Sequence, residues 1–136
     1  MDTDVWSCVV LTPRDRDPRV AGWRRLMLGK QVVISAQTEG EIRFGALSRG
    51  WGPAKIADLN ANFGRTPTLP FTPETVLAFA TLRDACKRSG HPLADKQHMG
   101  DAWVAATAIA HDLPLLAGDG IYKDAPNIRL LEESND

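Results

Sequence analysis

An α/β fold with a short parallel sheet follows from three features of the sequence. Short β-branched or aliphatic runs, "QVVIS" (31–35), "LPLLA" (113–117) and "NIRLL" (127–131), alternate with helical stretches, the pattern of a parallel sheet joined by helices. The 136 residues are 43% hydrophobic and 24% charged, which suits one domain with its own core. No repeat, low-complexity tract or linker divides residues 1–136.

Residues 3–11 read as a short helix behind Asp2, followed by the polar turn "TPRDRDP". Asp17 is expected to cap a second helix with Pro18 at its first position, and Gly29 to stop it. After the strand at 31–35, residues 36–49 form a helix ended by Gly50, and Pro53 to Phe63 a helix ended by Gly64. "TPTLPF" (66–71) is extended, and its prolines place it at an edge. Thr72 caps a long helix running from Pro73 to about Ser89, with Gly90 as its stop. "HPLADKQHMG" is a loop, 101–111 an apolar helix, 113–117 a strand, "GDGIYKDAP" a loop, and 127–131 the last strand.

No window approaches the roughly 18–20 apolar residues of a membrane span, and the acidic start does not resemble a signal peptide. Cys8 and Cys86 lack metal-ligand spacing and read as buried free thiols in a reducing cytoplasm. A net charge of −1 is not that of a generic nucleic-acid binder, so work on nucleic acid would depend on local basic patches or on metal ions.

Acids fall where such a fold gathers them. Glu41 follows the strand at 31–35, Asp101 opens a helix and Asp119 lies just beyond 113–117. Segments leaving the carboxyl ends of parallel strands meet in a crevice. Asp2 joins them if it ends a first strand. The blocks "MDTDVWS", "EGEIRFGAL", "GDAWVAATAIAHDLPLLAGD" and "APNIRLL", in that order, resemble those of PIN-domain ribonucleases of the VapC toxin type.

That resemblance implies a three-layer α/β/α fold. It also implies a metal-dependent endoribonuclease, the toxin of a bacterial toxin–antitoxin pair, whose Asp2, Glu41, Asp101 and Asp119 hold Mg²⁺ or Mn²⁺, with Thr3 as the family's hydroxyl beside the first acid. RNA is the implied substrate, an antitoxin and a second copy the implied partners, and the cytoplasm the implied location, away from membranes. The antitoxin would pack into a groove near the N-terminal helices and place an arginine in the acid pocket. The chemistry agrees. Crowded carboxylates repel, hard divalent ions take oxygen ligands, and one or two such ions can activate water and stabilise a leaving oxygen at phosphorus. The family usually has Asn where Gly100 stands. It also carries about four to six apolar residues before its first acid, forming a central strand. Only Met1 stands there now, so the first strand is expected to be cut short, by a late start, by truncation or in a degenerate protein.

Each acid has competitors. Asp4 lies two residues from Asp2; Glu39 and Glu41 lie about 200° apart on a helix, so only one faces the site; Asp101 is also a helix-start residue; Asp119 competes with Asp124. Asp95 is an accessory acid or a solvated loop charge. His91, His98 and His111 read as structural. Trp103 reads as core, while Trp6, Trp23 and Trp51 either pack or line a partner groove. Arg43, Arg49, Lys55, Arg65 and Lys123 are candidates for RNA phosphates or ordinary surface charge. Two other functions stay open. "DTDVW" and "GDGIYKDAP" are similar to haloacid-dehalogenase-type phosphatases, with Asp2 as nucleophile, Asp4 as acid, and Asp119 and Asp124 on Mg²⁺. A degenerate PIN module that only binds antitoxin is the other.

Overall fold

Residues 1–11 and 17–132 are described by a computed structural model; the expected turn at 12–18 therefore lies largely outside the described residues. Helix α1 (Thr3–Trp6) continues into one π-type turn, Ser7–Leu11. Then come α2 (Val20–Met27), strand β1 (Ile34–Ser35), α3 (Ala36–Ser48), α4 (Pro53–Arg65), β2 (Thr68–Leu69), α5 (Pro73–Ser89) and α6 (Met99–Ala110). Single 3₁₀ turns lie at Pro92–Ala94, Lys96–His98 and Gly120–Tyr122.

The α/β class is as expected, with strands shorter than the runs that announce them. β1 pairs in parallel with β2, Ile34 opposite Thr68 and Ser35 opposite Leu69. Pro67 and Pro70 bound β2 and have no N–H to extend the ladder. The runs at 113–117 and 127–131 meet in one parallel bridge, Leu115 to Leu130. Neighbouring leucines there face opposite ways, as strand geometry requires. Leu115 joins a core of Leu82, Cys86, Leu93, Val104, Ala105 and Tyr122, whereas Leu116 packs with Val5, Val20 and Trp23. A third cluster holds Trp6, Ile34, Ile42, Ala46, Leu59 and Phe63.

α5 has the bounds its caps announce. The Thr72 hydroxyl accepts from the Thr75 N–H (3.2 Å), and the Thr75 hydroxyl accepts from the Thr72 N–H (3.1 Å). Gly90 closes it at φ +74°, where a side chain would strain the backbone. Four expectations are corrected. Helix α2 begins at Val20, not Pro18, because the Asp17 carboxylate accepts from the N–H and guanidinium of Arg19 and turns the chain two residues early. Gly64 lies inside α4, whose last turn is held by Phe63 stacked on Trp6 at 5.0 Å. α6 begins at Met99, so Asp101 sits within its first turn rather than at its start. Trp103 is not core: it stacks on Phe79 at 3.7 Å beside Phe71, which is 45% exposed. Cys8 and Cys86 are free thiols, Cys86 buried as expected but Cys8 only half-buried, and among the described residues no helix is long and apolar enough to cross a membrane.

Candidate active site

Five acids line one open cleft of about 650 Å³: Asp2, Asp4, Glu41, Asp101 and Asp119. Segments distant in sequence bring them there. Asp2 caps α1, Glu41 projects from the middle of α3, Asp101 from the first turn of α6, and Asp119 from the loop after Leu115–Leu116.

Asp2 is the most tightly held. Its Oδ1 accepts from the Val5 N–H (2.9 Å), which is the N-cap of α1, and its Oδ2 from the Gly118 N–H (3.2 Å). It is 3% exposed, and burial pushes its pKa up to about 6 despite those two bonds. Asp4 is exposed, lines the same cleft and is turned towards Arg19, 3.7 Å away.

The Glu41 Oε1 accepts from the Thr3 hydroxyl (3.2 Å), and burial followed by the Asp101 charge pushes its carboxyl upward. Glu39 points elsewhere, pairing with Arg43 (3.3 Å) and accepting from the Thr68 hydroxyl (2.9 Å), as the helical angle between the two requires. Asp101 is held by side chains. Its Oδ1 accepts from the Tyr122 hydroxyl (3.4 Å), and its Oδ2 lies 3.1 Å from His98 Nδ1. The Tyr122 phenol is buried among these acids, and that burial and the Asp101 charge keep it protonated. The Asp119 Oδ1 caps the 3₁₀ turn at Ile121 (3.0 Å). Asp95 and Asp124 do not line the cleft, so the phosphatase alternative lacks its second metal acid there.

Three residues at this site are outside the sequence-based list of candidates. Arg19 lines the cleft, donates to the Gly118 carbonyl (2.7 Å) and Asp17 (2.7 Å), and lies over the Trp23 ring at 4.7 Å. Tyr122 and His98 touch Asp101. His91 is structural as expected, bonding the Leu93 N–H and the Lys123 carbonyl. The other basic candidates lie away from the cleft. Arg43 is spent on Glu39, Asn60 and the Phe63 face, and Arg65 on Asn62.

Gly118 is fitted tightly. A Cβ there would lie 2.7 Å from Asp4 Oδ2 and 2.9 Å from the Trp23 ring. Its N–H serves Asp2 and its carbonyl serves Arg19, so the two peptide units that meet at this one residue fix the loop that carries Asp119. The donor set, carboxylates with hydroxyls nearby, suits a hard divalent ion. Among the described residues, no three acidic, histidine or cysteine side chains close into a ready-made metal group. The cleft has room for a hydrated ion, and Mg²⁺ usually keeps several waters.

Of the tryptophans, Trp6 and Trp23 are buried; Trp51 lines one groove, and Trp23 lines another with Arg19, Leu26 and Leu116. That groove, of about 620 Å³, is lined by Val10, Leu11, Trp51, Lys55, Leu59 and Arg65 among others.

The PIN domain family model matches residues 1–128. The chain is similar in fold to VapBC2 from Rickettsia felis, a crystal structure bound to a DNA fragment from its promoter. There the identity is 20%, the TM-score 0.73, and the match covers 94% of this chain and 92% of that one. It is similar also to FitAcB from Neisseria gonorrhoeae, at 26% identity and TM-score 0.71 over 96% and 94% of the two chains. A structure of FitAB bound to an IR36 DNA fragment gives 26% and 0.71 over 95% and 90%. No curated protein matches the sequence.

Proposed function

This chain belongs to the PIN domain family, and from that premise we propose that it is a metal-dependent endoribonuclease, the toxin of a bacterial toxin–antitoxin pair acting in the cytoplasm. The observation that carries the proposal is the convergence of Asp2, Glu41, Asp101 and Asp119 on one cleft from four separate segments. These four would hold Mg²⁺ or Mn²⁺, which when bound offsets their mutual repulsion and activates water for in-line attack on a phosphodiester.

The chain's own residues prepare that site. Thr3 holds Glu41, Tyr122 and His98 hold Asp101, and the Gly118 N–H holds Asp2. Each bond fixes a carboxylate before any ion arrives, which lowers the reorganisation needed on binding. Arg19 at the rim already donates to Asp17 and the Gly118 carbonyl, and its remaining N–H groups are the ones it offers to a backbone phosphate.

The antitoxin is the proposed partner because the similar structures are named as VapBC2 and FitAB assemblies. The groove at Trp51 supports an apolar segment as its occupant, since Val10, Leu11, Trp51 and Leu59 line it and its charges, Lys55 and Arg65 with Asp58, are of both signs. A homodimer belongs to the same proposal. Phe44 and Leu47, 71% and 76% exposed on α3, are the side chains whose change to Ser would test it by sedimentation.

A non-catalytic antitoxin-binding module is separated from the nuclease by experiment. The test is Asp101→Asn. Wild-type protein is expected to cut RNA with Mg²⁺ or Mn²⁺, and the variant to lose cleavage with unchanged circular dichroism. Undiminished cleavage by the folded variant sinks the site assignment. A wild type that binds no Mn²⁺ leaves the binding module standing, and release of phosphate from a phosphomonoester favours the phosphatase.

A further inference from the structure

The Asp101 carboxylate takes its direction from two side chains that arrive on different segments. His98 comes from the run of turns at 91–98, and Tyr122 from the turn at 119–124, which also carries Asp119. Each segment is held within itself. In the first, the His91 carbonyl accepts from the Ala94 N–H (3.1 Å), that of Pro92 from Asp95 (2.9 Å) and that of Asp95 from His98 (3.0 Å). The Arg83 guanidinium also donates to the Ala94 carbonyl. In the second, the Asp119 Oδ1 accepts from the Ile121 N–H (3.0 Å), and the Gly120 carbonyl from the Lys123 N–H (3.1 Å).

Leu93 and Tyr122 share one core cluster, which holds the two segments together without giving them a direction. Direction comes from His91. Its Nδ1 accepts from the Leu93 N–H (3.1 Å), and its Nε2 donates to the Lys123 carbonyl (2.8 Å). A backbone N–H can face only a lone pair, and a carbonyl only a proton, so these partners place the ring proton on Nε2. Among the described residues the Nε2 bond is the one hydrogen bond between 91–98 and 119–124.

We propose that His91 is a positioning residue: by fixing the spacing between the segments that carry His98 and Tyr122, it sets the direction of the Asp101 carboxylate in the cleft. Its use in holding an ion rests on the nuclease reading above. The contacts close a circuit that runs from His91 through Lys123, Tyr122, Asp101 and His98, then back along the turns to His91. Opening it at Lys123 leaves the turn bonds of both segments in place, because none of them uses that contact. It removes the restraint on how far His98 stands from Tyr122. A carboxylate held by two such groups binds an ion less well when either shifts, since binding must then reorder it.

Two substitutions separate the two bonds of the ring. His91→Asn keeps an acceptor as many bonds from Cβ as Nδ1, so it retains the bond to the Leu93 N–H as an Asx turn and loses the reach to Lys123. His91→Gln does the reverse, because its amide nitrogen is as many bonds from Cβ as Nε2 and still donates to Lys123. Three quantities are read for each in the full chain: Tm, Mn²⁺ affinity by titration calorimetry, and, in metal-free protein, the ring resonances of Tyr122, the only tyrosine in the sequence. His91→Asn is expected to keep Tm within about 1 °C of wild type and to move the Tyr122 resonances. It should weaken Mn²⁺ binding about three-fold or more, short of the roughly ten-fold that losing a ligand's direct partner costs. His91→Gln is expected to lower Tm by about 2–5 °C while keeping the affinity and the Tyr122 resonances of wild type. Affinity that follows Tm across the two variants overturns the proposal, as do unmoved Tyr122 resonances in His91→Asn. A wild type that binds no Mn²⁺ contradicts the nuclease reading instead, and the Tyr122 resonances then decide the role of His91 by themselves.

Discussion

Metal binding at this cleft is expected to fall steeply below pH 6, and Asp2 sets the magnitude. Its carboxyl is 3% exposed, and burial raises its pKa from 3.8 to about 6. A divalent ion binds the ionised form, so protons compete with it. With that pKa, Asp2 is about 90% ionised at pH 7 and about 10% ionised at pH 5, so its protonation alone weakens apparent Mn²⁺ affinity about ten-fold between the two. The upward shift at Glu41 steepens the fall. The same shift has a consequence for stability. The folded state holds the Asp2 proton more tightly than the unfolded chain does. That contribution is therefore fully present below about pH 4 and is lost as pH rises to about 6, by at most ~3 kcal/mol. Mn²⁺ supplies a countercharge and should raise Tm more at pH 7 than at pH 5. Titration calorimetry at pH 5, 6 and 7, with Tm measured in parallel, checks both. Equal Mn²⁺ affinity at pH 5 and pH 7 would refute the idea that buried Asp2 is a ligand. Asp2→Asn should flatten whatever pH dependence the wild type shows.

Four further outcomes follow from named contacts. Gly118→Ala forces a Cβ to 2.9 Å from the buried Trp23 ring and should cost about 1–3 kcal/mol in urea unfolding. Gly100→Ala brings a Cβ to 3.1 Å from the end of the Gln37 side chain and to ordinary contact, 3.8 Å, with Glu41 Oε1, and should stay within about 0.5 kcal/mol. Arg19→Gln should weaken RNA binding and reduce the slope of log affinity against log salt by about 1, measured by filter binding; an unchanged slope means that Arg19 contacts no phosphate. Thr72→Ala removes the α5 cap and should cost about 1 kcal/mol while leaving metal affinity unchanged.

The parts legible in the sequence are those fixed by local chemistry. Thr72–Pro73 and Gly90 bound α5 because caps act within one turn. Glu41 separates from Glu39 because helical geometry alone points them apart. Strand extent was not legible: β2 stops at two prolines, and 113–117 contributes one bridge whose partner is set by tertiary packing. Trp103 looked like core because its helix is apolar throughout, yet α6 turns it onto a surface aromatic cluster with Phe71 and Phe79. Arg19 was hidden in the charge run "RDRDPR". Its contact with Gly118 spans 99 residues, and no local pattern encodes that.

For these acids, structural and functional readings are not exclusive. An ionised carboxylate has about four acceptor positions, so Asp2 can cap α1 through one oxygen, accept from Gly118 through the other, and retain capacity facing the cleft. Asp119 likewise spends Oδ1 on Ile121. Asp101 differs. An acid in the first turn of a helix is expected to take an orphan N–H. Among the described residues, however, Asp101 accepts no backbone N–H, and its partners are Tyr122 and His98. Helix start therefore does not explain its orientation, and Tyr122, buried and protonated, has no other side-chain hydrogen bond among the described residues. A chain that buries a phenol to hold a surface carboxylate is maintaining that carboxylate's direction. Of the four acids, Asp101 is thus the one whose geometry is least accounted for by folding and whose loss should separate activity from stability most cleanly.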